Sequence, residues 1–339
     1  MQTAGGYTPI SPQNASAMRV LITGGTGFVG SHLAAALAGS KNQPGSKDQP
    51  GSEIQLFTLS RQRAEGRLPG ALAQVQQVFC DLRDTAAVRQ VLKQVQPDAI
   101  IHLASISPVA YSYDHPNEVF EVNLLGAINL AESCRNELPA LRHFLFASTS
   151  ETYGLGPLPK KEDTPQNPSS PYGLSKFAAE RYLLYLRDAY TFPLTILRPL
   201  NTYGRKDTAS FVVERIISQM LRQDIIRLGD PAVVRDWLHI DDHVEDYRSC
   251  LGNERAIGQI LNFCTGRGAS VAELVDLLSA MIGFRGAVEW HTLPKRPLDV
   301  PMIVGDAAKA ASSLPWQPRI GLEHGLQMAV DYWRKKVAS

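Results

Sequence analysis

The segment Val20 to Gly30 reads V-L-I-T-G-G-T-G-F-V-G, an apolar run that breaks into a loop with Gly24, Gly27 and Gly30 at every third position and then resumes as a helical pattern. Glycine lets the backbone turn tightly and approach a bound group, and the first helical turn presents unpaired amides to negative charge. In this strand-to-helix context the loop predicts a dinucleotide diphosphate site at the end of a central strand. Further apolar runs follow at Ile54 to Leu59, Val75 to Phe79, Ala99 to Leu103, Phe144 to Ala147 and Leu194 to Leu197, with helical patterns between them. That alternation predicts a parallel sheet wound with helices on both faces, an α/β class.

A chain of 339 residues with 44% hydrophobic composition is long enough for two lobes. We expect a leader over 1–17, a dinucleotide-binding domain over 18–200, and a smaller mixed α/β lobe over 201–339 that interleaves with the last strands. Helices are expected near Phe211 to Arg222, Val271 to Ile282 and Leu322 to Lys336, and polar clusters at Arg235 to Asp242 and Lys295 to Asp299 should cover a cleft. The leader is rich in Gly, Pro, Ser, Asn and Gln and reads as disordered. Between Asn42 and Glu53 the tetrapeptide Gln-Pro-Gly-Ser occurs twice, as a duplication in a surface loop would.

Thirty-four basic residues stand against 33 acidic ones, so a net charge of +1 provides no global field for nucleic acid. The four cysteines are scattered, without metal-ligand spacing, and read as core thiols of a reducing compartment. The start lacks a basic, apolar signal, and no apolar run approaches the roughly 18 residues that would span a bilayer, so a soluble cytoplasmic protein is expected.

The second strand ends Leu59-Ser60-Arg61-Gln62-Arg63, without the acid that usually receives the NAD ribose. A hydroxyl and a guanidinium suit a 2'-phosphate, so NADP is preferred and NAD stays open. Tyr172 and Lys176 lie four apart in S-P-Y-G-L-S-K, on one face of a helix that starts after Pro171. A nearby ammonium would bring a phenol closer to the pH at which it can act as a base.

With these motifs, and with Cys80-Asp81-Leu82, His102-Leu103-Ala104-Ser105, Ala147 to Gly154 and Arg198-Pro199-Leu200-Asn201, the chain resembles the extended short-chain dehydrogenase/reductases from Arg19 to Trp333. The resemblance implies a Rossmann-type sheet. Its cofactor would lie along Gly24, Gly27, Phe28, Val29, Ser60, Arg61, Asp81, Leu82, Leu103 and Ala104, with Tyr172 and Lys176 at the nicotinamide end. Asn123 would support the active-site helix, and Thr149 would bond the sugar O4 while Tyr172 takes its proton.

Glu151, in F-A-S-T-S-E-T-Y-G, is similar to the carboxylate of the GDP-mannose 4,6-dehydratases, where a second acid/base group serves loss of water. Ser107, Asn201, Arg235, Arg296 and Asp299 would contact the nucleotide-linked sugar. Phe28-Val29 and Pro108 depart from the dehydratase pattern, and the glycine loop is more similar to the reductase and epimerase branches. A 4,6-dehydratase, a 4-epimerase or NADPH-dependent 4-ketosugar reductase, a decarboxylase of a linked uronic acid, and a non-catalytic dinucleotide sensor therefore all remain open. A homodimer through helices near Pro116 to Arg135 and Pro171 to Tyr190 is a further implication of the resemblance.

Overall fold

The computed structural model describes residues 17–39, 54–62, 75–205 and 208–338; the leader up to residue 16, the repeated tetrapeptide and Arg63 lie outside them. Seven parallel strands form the main sheet: β1 (Met18–Thr23), β2 (Ile54–Ser60), β3 (Gln76–Phe79), β4 (Ala99–His102), β5 (His143–Ala147), β6 (Leu194–Pro199) and β10 (Ile260–Phe263). Their spatial order, 3-2-1-4-5-6-10, is that of a Rossmann-type doubly wound sheet. β4, β5 and β6 are buried along most of their length, which is why they read as continuous apolar runs rather than alternating ones.

Alternate residues of each strand enter different cores. Leu21, Ile100, Phe144 and Ile196 face one side with α2 (Thr85–Val95), α5 (Gly126–Glu137) and α6 (Pro171–Tyr190). Val20, Ile101, Leu145 and Leu197 face the other, with α1 (Phe28–Gly39) and α8 (Ile240–Cys250). Between β4 and α5 run the short helices α3 (Val109–Asp114) and α4 (Pro116–Phe120), then one π-turn over Glu121–Leu125.

The smaller mixed sheet centres on β9 (Val234–His239), with β7 (Asn201–Tyr203) and β13 (Met302–Ile303) parallel to it and β11 (Gly268–Ser270) antiparallel. β8 (Ile225–Arg227) pairs β12 (Ala287–Glu289) separately. α7 (Val212–Met220), α9 (Val271–Ile282) and α11 (Leu322–Ala338) close a third core around Ile216, Leu274 and Leu326, while α10 (Ala308–Ser313) packs on β10.

A buried ion pair ties β6 to α6. Arg198 Nε donates to Glu180 Oε1 at 2.9 Å and Nη2 to Oε2 at 2.6 Å, with both side chains at most 1% exposed. Removing one member of such a pair leaves an uncompensated charge, so Glu180→Ala should lower the unfolding free energy by about 3–5 kcal/mol in urea titration. A loss below about 1 kcal/mol, the ceiling for an exposed pair, would contradict this placement.

Candidate active site

The glycine loop lies where the strand order reverses between β1 and β4. Thr23 joins the two strand ends: Leu103 N donates to its carbonyl at 3.1 Å, Ala104 N donates to Oγ1 at 3.2 Å, and Oγ1 pairs with His102 Nδ1 at 2.7 Å. Burial, aided by the charge of Lys176, pushes His102 down to about 3 and keeps it neutral. Gly24, at φ +71°, runs flush against β4, and a Cβ there would sit 2.8 Å from Ala104 N. A Cβ at Gly30 would sit 2.2 Å from the Gly24 carbonyl oxygen. Only glycine fits either place, so the start of α1 at Phe28 and Val29 stays close under the loop, as a dinucleotide diphosphate requires.

Ser60 and Arg61 close β2, the first donating to Gln62 O at 2.9 Å and the second exposed, with its charge reaching Asp81. Asp81 is held below the usual carboxylate range chiefly by Arg83, which forks onto it at 3.0 and 2.7 Å. Arg83 was not among the expected site residues; its place beside Asp81 at the strand end is the signal that would have found it. Leu82 is buried against Gly126.

Ser170 caps α6 by accepting from Gly173 N at 3.0 Å, and Pro171 occupies the first turn. Tyr172 and Lys176 follow on the buried face. Burial pushes the Tyr172 hydroxyl up to about 12; hydrogen bonding with Thr149 draws it back, Glu151 raises it and Arg205 lowers it. Thr149 caps the short turn Ser150–Thr152, its Oγ1 accepting from Glu151 N at 3.2 Å, so one turn at the end of β5 sets both side chains beside Tyr172.

The sequence assigns the cation that acts on Tyr172 to Lys176. In the structure Lys176 Nζ donates to Ala147 O at 2.7 Å above the Phe146 ring, and burial pulls it down to about 7 against the field of Glu180. A second cation, Arg205, lowers Tyr172, and it is set 4.4 Å over the ring of Phe28 and 3.5 Å over that of Phe211. Arg205 follows Gly204 in an irregular loop, with no pattern in the sequence to mark it. Asn123, on the π-turn, accepts from Ile106 N at 2.8 Å and donates to Ser175 Oγ at 3.1 Å, which joins the segment after β4 to α6.

β9 and the segment before β13 carry charge. Arg235 is 5% exposed and Arg296 partly exposed; their guanidinium nitrogens lie 3.8 and 3.9 Å from the same oxygen of Asp299. Burial lowers Arg235, and Glu151 and Asp299 oppose that. Glu151 therefore stands within the fields of both Tyr172 and Arg235. Asn201, in β7 beside Trp237, keeps a buried Oδ1 without a hydrogen-bond partner among the described residues. Ser107 is exposed after β4. Tyr113, unmarked in the sequence, donates to Ser169 O at 3.0 Å within the fields of Arg296, Glu151 and Asp299. Two phenols, Tyr172 and Tyr113, a hydroxyl, Thr149, two carboxylates, Glu151 and Asp299, and three guanidinium groups, Arg205, Arg235 and Arg296, are thus linked by hydrogen bonds and charge.

The family described as GDP-mannose 4,6 dehydratase matches residues 21–329. The chain belongs to the NAD-dependent epimerase/dehydratase family. It is similar to the UDP-glucose 4-epimerase of Mycolicibacterium smegmatis, 31% identical over 94% of this chain and 99% of the relative. It is 30% identical to GDP-mannose 4,6 dehydratase 2 of Arabidopsis thaliana over 75% of this chain and 70% of that one. The structure of UDP-glucuronic acid 4-epimerase from Bacillus cereus, in complex with UDP-glucuronic acid and NAD, superposes with a TM-score of 0.81 at 26% identity, covering 94% of this chain and 100% of the other. Members of this nucleotide-sugar family depend on a nicotinamide dinucleotide.

Lys176 gives the site a pH signature. Its value falls from 10.5 to about 7 on folding, so between those limits the unfolded chain binds the extra proton. Stability contributed by this group therefore rises from pH 7 to pH 10.5 and is flat below and above. Urea titrations should show that rise in the parent protein and a shallower one in Lys176→Met; equal slopes would contradict the burial of the ammonium.

Proposed function

We propose that this chain is a nucleotide-sugar 4,6-dehydratase that acts on GDP-mannose with NADP. The observation that carries the reading is the packing of Glu151 on the first turn of α6, with its charge acting on Tyr172. A Cβ on Gly173, the residue after Tyr172, would sit 2.8 Å from the Glu151 carbonyl oxygen. Oxidation at C4 needs one proton acceptor, and Tyr172 serves as the phenolate, the form that the Thr149 hydrogen bond and the Arg205 charge favour. Loss of water across C5 and C6 needs a second group at the neighbouring carbon, and Glu151 stands on the same turn as Thr149.

In this mechanism Thr149 holds O4 while Tyr172 takes its proton, and Lys176 holds the ribose at the nicotinamide end. The bound dinucleotide supplies a hydride acceptor at C4 and a donor at C6. Glu151 removes the C5 proton and later returns one there. Arg235 and Asn201 bind the diphosphate, and Arg296, Asp299 and Ser107 hold the nucleoside end and the hexose. Ser60 and Arg61 take the 2'-phosphate, which favours NADP. The exposed apolar side chains Leu174, Tyr185 and Tyr190 on α6, with Leu125 beside α5, support a homodimer through these helices. We place the boundary between the dinucleotide and substrate domains at residues 200 and 201.

A second reading, a 4-epimerase or an NADPH-dependent 4-ketosugar reductase, is favoured by the full-length similarity to a 4-epimerase and by Phe28-Val29 in the glycine loop. Mass spectrometry of products from GDP-mannose and from UDP-, dTDP- and CDP-hexoses separates the two. The dehydratase releases one water from one donor without net use of NADPH, and Glu151→Gln lowers that rate by about 10²–10⁴-fold. An unchanged mass with a C4 epimer, or turnover of a 4-keto sugar alone, would establish the second reading. Arg61→Ala should raise KM for NADP by about tenfold, equivalent to about 1.4 kcal/mol, and leave KM for NAD unchanged; equal shifts would remove Arg61 from the phosphate site.

A further inference from the structure

Loss of water requires a base at C5 and an acid at the oxygen leaving C6. Glu151 serves as the base, and no acid has been assigned. Hydroxide is a poor leaving group, so a donor that keeps its proton at neutral pH and is far more acidic than water would assist departure.

Tyr113 meets both conditions. It lies on α3, next to the segment Ser107 to Ser112 and packed toward α6. Its hydroxyl donates to the carbonyl of Ser169, the residue before the cap of α6, at 3.0 Å, which holds the hydroxyl at the start of that helix, three residues before Tyr172. Glu151 meets the same first turn of α6, since a Cβ on Gly173 would sit 2.8 Å from its carbonyl oxygen, and the charges of Glu151, Arg296 and Asp299 all act on the Tyr113 hydroxyl. Burial raises its pKa, and the two carboxylates add to that against Arg296, so the phenol stays protonated. The base and this phenol thus meet at the first turn of α6.

Resting on the dehydratase reading, we infer that Tyr113 is the general acid that protonates the hydroxyl leaving C6. The Glu151 carboxylate takes the C5 proton, the C–H electron pair becomes the C5–C6 double bond, and the C6–O pair departs with the Tyr113 proton as water. The Tyr113 hydroxyl rotates from the Ser169 carbonyl to the leaving oxygen, a motion that a phenol O–H allows. Its phenolate regains a proton from solvent, to which Tyr172 releases the one taken from O4, so the protons balance over the cycle.

The test is Tyr113→Phe, assayed in deuterium oxide with GDP-mannose and NADP. Two quantities are followed: water loss, by product mass, and deuterium incorporated at C5 of recovered substrate. Tyr113→Phe should lose water about 10²–10⁴-fold more slowly while still exchanging the C5 hydrogen, whereas Glu151→Gln should do neither. A merely structural Tyr113 would lower exchange and elimination together, and that outcome, or unchanged elimination, would overturn the inference. If the parent protein itself releases no water from any donor, the dehydratase reading fails instead, and the inference falls with it.

Discussion

The buried pair of Arg198 and Glu180 is the interaction on which the geometry of the cleft depends. Two charges removed from water are tolerable only when each lone pair and proton finds a partner. Here they do. Glu180 also receives Ser148 Oγ and Gln166 Nε2, and Arg198 Nη1 donates to the Tyr153 hydroxyl and to Glu162 O. Tyr153 in turn donates to Asn262 on β10 at 2.6 Å. One saturated network thus fixes α6, the turn after β5 and two neighbouring strands relative to one another. Tyr172 and Lys176 ride on the first of these, Thr149 and Glu151 on the second.

Features written locally were legible in the sequence. The glycine loop could be read because its requirement lies within seven residues, and Gly24 and Gly30 have no room for a Cβ. The inner strands could be read because both faces are buried. Pairing across the fold could not: Arg198 and Glu180 are 18 positions apart on different elements, and neither stands out from an ordinary surface charge. β8, β12 and β13 have two or three residues each and leave no period to detect. Arg205 and Tyr113 escaped for the same reason, since their places come from a loop and a six-residue helix rather than from any spacing.

Burial and charge divide the labour in the cleft. Deep beneath it, His102 stays neutral and Lys176 gives up much of its hold on its proton, which lowers the cost of enclosing both. Arg235 and Arg296 share the Asp299 carboxylate at 3.8 and 3.9 Å, too long for hydrogen bonds. The charge of Glu151 acts on both Tyr172 and Arg235 and so links the two.

The most direct measurement follows the hydrogen at C4. GDP-mannose carrying deuterium at that carbon, incubated with the protein and NADP, should yield a 4-keto product that has lost water and carries the deuterium at C6. Deuterium returned to C4 of an epimer, with the mass unchanged, would contradict a dehydratase and leave Glu151 without a chemical step.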